Sequence, residues 1–362
     1  MTDTVSLTAG ARYTEEDKRA YKIAQNSTSV GGLGNPYNNP LYDALSAALF
    51  SSYAHEFKDQ QRSSNQFIPS VNMEWNRSED SMFYISYSEG FKSGGFNATD
   101  SQLPLFTADG VQPNMPGPGY EFDDENAESV EIGGKHTLMD GEMTLNWAIY
   151  DSTYENQQVS TFVGLGFVVT NAASTGITGL EVDWKWQATD NLMVGANIAL
   201  NDGAYNDFPG AACTALQASD LAGGATSSGT CVAEIAPDGT QIGISQNLAG
   251  GQVGRKHSGA LMADYSRSVM GGLLWISSID VNFTDGYFMT GDLDPIDYQD
   301  GFTKTNLRTS LRGENWTAML YGKNVTDERT PTGAADVPLS SGSHFQYGFE
   351  GAVWGASLSY KF

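Results

Sequence analysis

No part of this chain approaches the roughly 20 consecutive apolar residues that a membrane-spanning helix requires, which excludes a helical membrane protein. Bases are scarce: 19 Lys and Arg stand against 43 Asp and Glu, a net charge of −24. No basic stripe is present to neutralise phosphates, so nucleic acid is excluded as a partner, and the carboxylates fit an acidic exposed surface. There are two cysteines, Cys213 and Cys231, in one stretch rich in Gly, Ser and Ala. In an oxidising compartment they would close a short loop, a cross-link worth about 3 kcal/mol in the chain-entropy model, and the disulfide is the expectation over two free thiols. The first ten residues have neither the basic start nor the apolar core of a secretory signal, so the sequence reads as a piece of something longer.

What is abundant is alternation. The last eleven residues place Ala352, Trp354, Ala356, Leu358, Tyr360 and Phe362 on one side of a strand and Val353, Gly355, Ser357, Ser359 and Lys361 on the other. Similar period-2 segments recur at about 5–13, 67–76, 81–91, 126–138, 142–154, 174–187, 192–203, 255–267, 272–285, 302–313, 315–325 and 346–362. Phe83, Ile85 and Tyr87 oppose Tyr84, Ser86 and Ser88; Leu180, Val182, Trp184 and Trp186 oppose Gly179, Glu181, Asp183 and Lys185. Charge falls opposite the large apolar residues, as a watery lumen and a lipid exterior demand. Short polar turns alternate with long insertions near 14–66, 92–125, 155–173, 204–254, 286–301 and 326–345, the pattern of periplasmic turns below and extracellular loops above. The expected fold is therefore all-β: a transmembrane, antiparallel, up-and-down barrel wall of about twelve strands. One insertion, 40–50, carries Pro after Asn39 and an apolar face of Leu41, Ala44, Leu45, Ala48 and Leu49, which predicts a short amphipathic helix.

Several segments, in this order, resemble the C-terminal barrel of TonB-dependent receptors: Leu7-Thr-Ala-Gly-Ala-Arg-Tyr-Thr14, Tyr84–Asn97, Glu128-Ser-Val-Glu-Ile-Gly-Gly-Lys135, Thr178-Gly-Leu-Glu-Val-Asp183, Asn324-Val-Thr-Asp-Glu-Arg329 and Ser357-Leu-Ser-Tyr-Lys-Phe362. The resemblance covers almost all of residues 1–362, read as one domain. It implies the C-terminal half of a 22-stranded barrel around an N-terminal plug. It further implies active uptake across the Gram-negative outer membrane of a scarce nutrient, a ferric siderophore first. The TonB–ExbB–ExbD motor would act through a plug not found in this sequence, and lipid, lipopolysaccharide and the barrel assembly machinery would be the other partners. Tyr360 and Phe362 would form the barrel's C-terminal signal, and Trp184, Trp186, Trp275, Trp316 and Trp354 a lipid-facing girdle. A passive twelve-stranded pore and a barrel enzyme remain as alternatives.

Other candidate sites are weaker. His55, His136, His257 and His344 show no ligand spacing, so no metal site and no cofactor is expected. His136 with Ser129 or Ser152 is the one arrangement from which a hydrolase can be constructed. Asp292, Asp294, Asp297 and Asp300 cluster in one outer loop, 291–301; solvated turn residues are the favoured reading, with calcium left open. Ser93-Gly-Gly95 is not followed by a helical pattern and is no phosphate cradle. Tyr37, Tyr42, Phe96, Phe106, Tyr120, Tyr287 and Phe288 are candidates to stack on a ligand. Lys58, Arg62, Lys92, Arg255 and Lys256 are the few bases available to an anionic chelate.

Overall fold

The structure, a computed structural model, describes residues 4–24, 55–98, 120–163, 166–171, 174–235, 241–337, 340 and 342–362. Twelve strands form one sheet: β1 (Val5–Ala24), β2 (His55–Ser78), β3 (Ser81–Lys92), β4 (Glu125–Leu138), β5 (Met143–Glu155), β6 (Ser174–Thr189), β7 (Leu192–Asp207), β8 (His257–Val269), β9 (Leu273–Thr284), β10 (Phe302–Arg312), β11 (Trp316–Lys323) and β12 (Val353–Tyr360). Each pairs antiparallel with its neighbour in sequence, so the sheet is an uninterrupted meander with β1 and β12 at its edges. Among the described residues no ladder joins these two edges.

The register carries the sequence alternation across the whole sheet. Trp75, Phe83, Gly134, Trp147, Val182, Ile198, Gly259 and Phe283 lie opposite one another strand by strand, and Met73, Ile85, Ile132, Ile149, Leu180 and Leu200 form the next such row. On the other face, Met82, Lys135, Asn146, Asp183, Asn197, Ala260, Asn282 and Lys304 are aligned in the same way. A slip of one residue in any strand would place charge in the apolar rows, so the two-sided chemistry fixes the register. The apolar face is uncovered: Leu358 is 77% exposed and Phe67 62%. An apolar surface this extensive marks contact with another apolar phase. Some close approaches are built from glycine; a Cβ at Gly133 would sit 2.5 Å from the ring of Tyr84 on the adjacent strand.

The connections alternate in length. Between β4 and β5 the chain reverses through Asp140 and Gly141, both at positive φ (53° and 95°), a conformation Asp tolerates and Gly adopts freely. All the long connections emerge at the opposite end, and there the core sits. Among the described residues the buried apolar side chains Phe57, Tyr120, Val168, Tyr205, Phe208, Ala211, Leu221 and Cys231 belong to the loop layer and the strand tops that carry it, and Ala196, lower on β7, is the exception.

The strands at the two edges differ from expectation. The first two strands, expected at 5–13 and 67–76, continue as a ribbon of 20 and 24 residues, paired from Thr14 opposite Gln66 to Ala24 opposite His55. Twenty residues reach about 66 Å at strand rise, well beyond a hydrocarbon core of about 30 Å. Beyond Tyr13 the run Glu15-Glu16-Asp17-Lys18-Arg19 is polar on both faces, so the ladder persists in water without the contrast that marks a half-apolar strand. The final strand, expected at 346–362, is confined to Val353–Tyr360, while His344–Tyr347 pairs with Gly333–Asp336 in a loop hairpin ended by Gly348 at φ 82°. The helix expected at 40–50 lies outside the described residues. A different helix, α1 (Ala215–Ala222), is present, started by a capping box in which Thr214 and Gln217 bond reciprocally.

Candidate functional site at the loop end of the sheet

The β1–β2 ribbon is tied to the β3–β4 loop through charged side chains, of which Arg62 and Asp124 are largely buried. Lys18 Nζ donates to Ser93 Oγ and the Gly94 carbonyl, both at 2.7 Å. Arg62 donates to Glu121 at 2.7 Å, Asp123 at 3.1 Å and Asp124 at 3.0 Å. Asp124 also accepts from the Gly94 N–H at 2.6 Å and Ser64 Oγ at 2.8 Å. Burial opposes ionisation of Asp124, but these donors outweigh it and hold its carboxyl below the usual range. Burial likewise opposes the charge on Arg62, and its three carboxylate bonds more than offset that and raise it. Further along, Asn97 exchanges two hydrogen bonds with the backbone of Val169, which belongs to the hairpin Gln158–Val163/Gly166–Asn171.

The following loops pack around an apolar nucleus. Tyr205 and Phe208 lie 5.0 Å apart between ring centroids, beside Ala211, with Val159, Leu248, Val253 and Leu293 from three other segments. Cys213 and Cys231 are disulfide-bonded, with Cα atoms 5.6 Å apart. Gln246, 4% exposed, donates to the carbonyls of Ala212 at 2.7 Å and Asp292 at 3.3 Å, linking this loop to the next.

The acidic loop departs from its sequence reading. Asp294 and Asp297, expected as solvated turn residues, are 2% and 1% exposed. Asp294 caps the short turn Pro295–Asp297 through its Oδ1, which accepts from the Ile296 N–H at 2.9 Å. His344, from the neighbouring loop, inserts between them. Its Nδ1 lies 3.1 Å from Asp297 and 3.2 Å from Asp336, and its Nε2 3.8 Å from Asp294. Burial disfavours the imidazolium, yet the three carboxylates outweigh it and raise His344 above its ordinary value. Burial pushes Asp292 and Asp336 up. Donor atoms of Asp294, Asp336 and His344 all fall within 4.8 Å of one another, the grouping among the described residues best placed to hold a cation. Nothing in the sequence pointed to Asp336, because the grouping depends on two loops meeting.

The polar face of the sheet carries a cleft of about 610 Å³, with Tyr84, Lys135, Asn146, Glu181, Asp183 and Arg255 among its lining. Tyr84 donates to Glu131 at 2.5 Å, Tyr150 to Asn201 at 2.7 Å, and Arg308 pairs with Asp280 at 3.2 Å. The hydrolase arrangement does not assemble. Ser129 and Ser152 bond each other at 2.8 Å on the polar face, whereas His136, an odd number of residues away, lies on the apolar face between Ser81 at 2.9 Å and Trp147 at 3.3 Å.

Among the other residues singled out in the sequence, Trp184, Trp186, Trp275 and Trp316 lie on the apolar face near the short turns, where Trp316 is opposite Tyr360. Trp354 lies on the same face at the loop end, so the five tryptophans fall in two bands rather than one. Tyr360 and Phe362 contact each other at 5.1 Å. Phe96 packs on Tyr120 at 5.5 Å and Phe288 on Tyr298 at 5.0 Å, as loop-core partners. The Arg255 guanidinium stacks 4.3 Å over Tyr287. Tyr37, Tyr42 and Phe106 lie outside the described residues. Ser93 and Gly94 lie in irregular backbone just past β3, and Gly95-Phe96 pairs with Glu121-Phe122.

Solved structures with this architecture exist. The ferric yersiniabactin uptake receptor FyuA from Yersinia pestis superposes with a TM-score of 0.67 at 14% identity, over 100% of this chain and 44% of that one. The siderophore receptor PiuA from Acinetobacter baumannii gives 0.60 at 17% identity, over 99% and 41%. The copper transporter OprC gives 0.60 at 13%, over 100% and 46%. The chain thus spans less than half the length of the structures it matches, and at these identities the likeness speaks for the fold. A family model described as TonB dependent receptor-like, beta-barrel matches residues 1–325, a family of receptors and not of enzymes. With its meander, its two-faced register and its loop layer at one end, the chain belongs to the TonB-dependent receptor β-barrel family and is an outer-membrane protein.

Proposed function

We propose that residues 1–362 are the C-terminal half of a receptor barrel that actively takes up a ferric siderophore. The observation that carries this reading is the joining of a packed, cross-linked loop layer to a polar cleft on one face of a membrane-sized meander. Of the similar structures, one is named a siderophore receptor and another a ferric yersiniabactin uptake receptor, which supports iron chelates over other nutrients. The remaining strands, and a plug through which the TonB–ExbB–ExbD motor acts, would lie on polypeptide outside these 362 residues. The unjoined edges of β1 and β12 support that, because each unsatisfied backbone group in lipid costs several kcal/mol. The tryptophans of the two bands would sit at the two membrane interfaces, and Tyr360 and Phe362 would present the signal read by the assembly machinery.

The chelate's charge follows from the loop bases. Arg62 is committed to three carboxylates and Arg255 to the ring of Tyr287. Among the described residues the loop layer therefore offers no clustered guanidiniums for an anionic chelate, and a neutral or cationic ferric chelate is the better match. The test is direct binding by the full-length receptor in detergent, read as quenching of tryptophan fluorescence, across neutral, cationic and anionic ferric siderophores with cobalamin and a copper chelate as comparators. Saturable, submicromolar binding of a neutral or cationic ferric chelate is expected; binding confined to the comparators would overturn the reading.

A further inference from the structure

Two extracellular loops meet at a group whose charges do not balance. Asp294 and Asp297 come from the connection between β9 and β10, and Asp336 and His344 from the connection between β11 and β12. All but Asp336 are more than nine-tenths buried as side chains. One imidazole carries at most two N–H groups, yet Nδ1 faces two carboxylates at once and Nε2 a third. Asp294 Oδ2, Asp297 Oδ1, Asp336 Oδ1 and His344 Nε2 are all buried without a hydrogen-bond partner. Among the described residues no Lys or Arg pairs with any of the four. Even a fully protonated His344 leaves three carboxylates with one positive charge, in a place where an unpaired charge is expensive.

We propose that Asp294, Asp297, Asp336 and His344 form a binding site for a divalent first-row transition ion, with Zn²⁺ as the best match, which clamps these two loops together. The donor set decides the class. Calcium takes oxygen ligands in sixes to eights, whereas one imidazole with carboxylates suits a smaller ion bound tetrahedrally through N and O. The 3.1 and 3.2 Å separations of His344 Nδ1 from Asp297 Oδ2 and Asp336 Oδ1 also fit two donors shared by one ion at bond lengths of about 2.1 Å. Bound there, the ion would engage the unpartnered Asp294 Oδ2 and neutralise two of three negative charges. Asp294 already spends its Oδ1 on the turn, so the free oxygen is held in place before any ion arrives. The site does not depend on which nutrient the receptor carries.

The experiment uses the full-length receptor purified from outer membranes, stripped with EDTA and titrated with Zn²⁺, Mn²⁺ and Ca²⁺ by calorimetry, with bound metal counted by mass spectrometry. About one Zn²⁺ or Mn²⁺ per chain is expected, with affinity falling at least tenfold in Asp294→Asn and in His344→Gln. Chymotryptic cleavage within 285–301 and 324–352 should slow several-fold when the ion is added. Because the unvaried receptor is measured first, a variant that fails to assemble does not decide the matter; heat-shifted gel mobility identifies such a variant. No stoichiometric ion on the unvaried receptor, preference for Ca²⁺ over Zn²⁺, or equal binding by assembled variants would each overturn the proposal.

Discussion

Ala260 and Ala263 offer a controlled test of which face of the sheet meets lipid. Both lie on β8, so an Ala→Arg change removes and adds the same atoms at each. Ala263 sits on the apolar face between Val194 and Ile279, near mid-strand; Ala260 sits on the polar face between Asn197 and Asn282. An arginine on the lipid face near the bilayer midplane costs about 2–4 kcal/mol. At 1.4 kcal/mol per tenfold, Ala263→Arg should lower the folded-to-unfolded ratio roughly 30- to 700-fold. Ala260→Arg places the same cation among polar side chains and should cost less than about 1 kcal/mol, as lumen substitutions do. The assay is reversible urea unfolding of the full-length receptor in liposomes, followed by tryptophan fluorescence, with the m-value checked for constancy. Equal costs at the two positions, or a larger cost at Ala260, would refute the assignment of faces and the register from which it comes.

Gly133→Val forces a branched side chain against the Tyr84 ring and should destabilise the barrel by about 1–3 kcal/mol, seen as a lower temperature for loss of the compact gel form. Replacing Cys213 with Ser opens an 18-residue span worth about 3 kcal/mol of loop order; proteolysis between 208 and 256 should accelerate while gel mobility of the barrel is unchanged. Arg62→Ala leaves Asp124 and its acidic neighbours without their cation and should speed cleavage within 93–124. Because the Asp124 carboxyl is held below the usual range, its contribution is complete above the ordinary carboxylate value of about 4 and is lost only as pH falls through its lowered value. Loop protection followed from pH 7 to 2 should therefore persist past pH 4 before it fails.

The barrel wall was legible because lipid and water impose opposite chemistry on alternate residues: eight of the twelve strands begin and end within about two residues of where that contrast does. Where it stops, the sequence falls silent. The upper halves of β1 and β2 are polar on both faces, so their pairing left no pattern. The loop layer was the least legible part, since its contacts link distant segments: His344 reaches Asp294 and Asp297 only because two loops fold toward each other. Asp294 and Asp297 read as ordinary turn residues, as clustered acids between strands usually are. One local signal was present and missed: Thr214, three residues before Gln217, announces the start of α1. Parity was the other unused clue, for a separation of seven positions from Ser129 to His136 places them on opposite faces of a strand.

The central claim, that this barrel serves an energised uptake receptor, is tested most directly by following radiolabelled ferric siderophore into cells that express the full-length protein, with and without a functional TonB system. The account predicts saturable accumulation that collapses to the background of receptor-less cells when TonB is deleted or a protonophore is added. Entry that persists without TonB and rises in proportion to external concentration would contradict it, and would mark the strands as the wall of a passive pore.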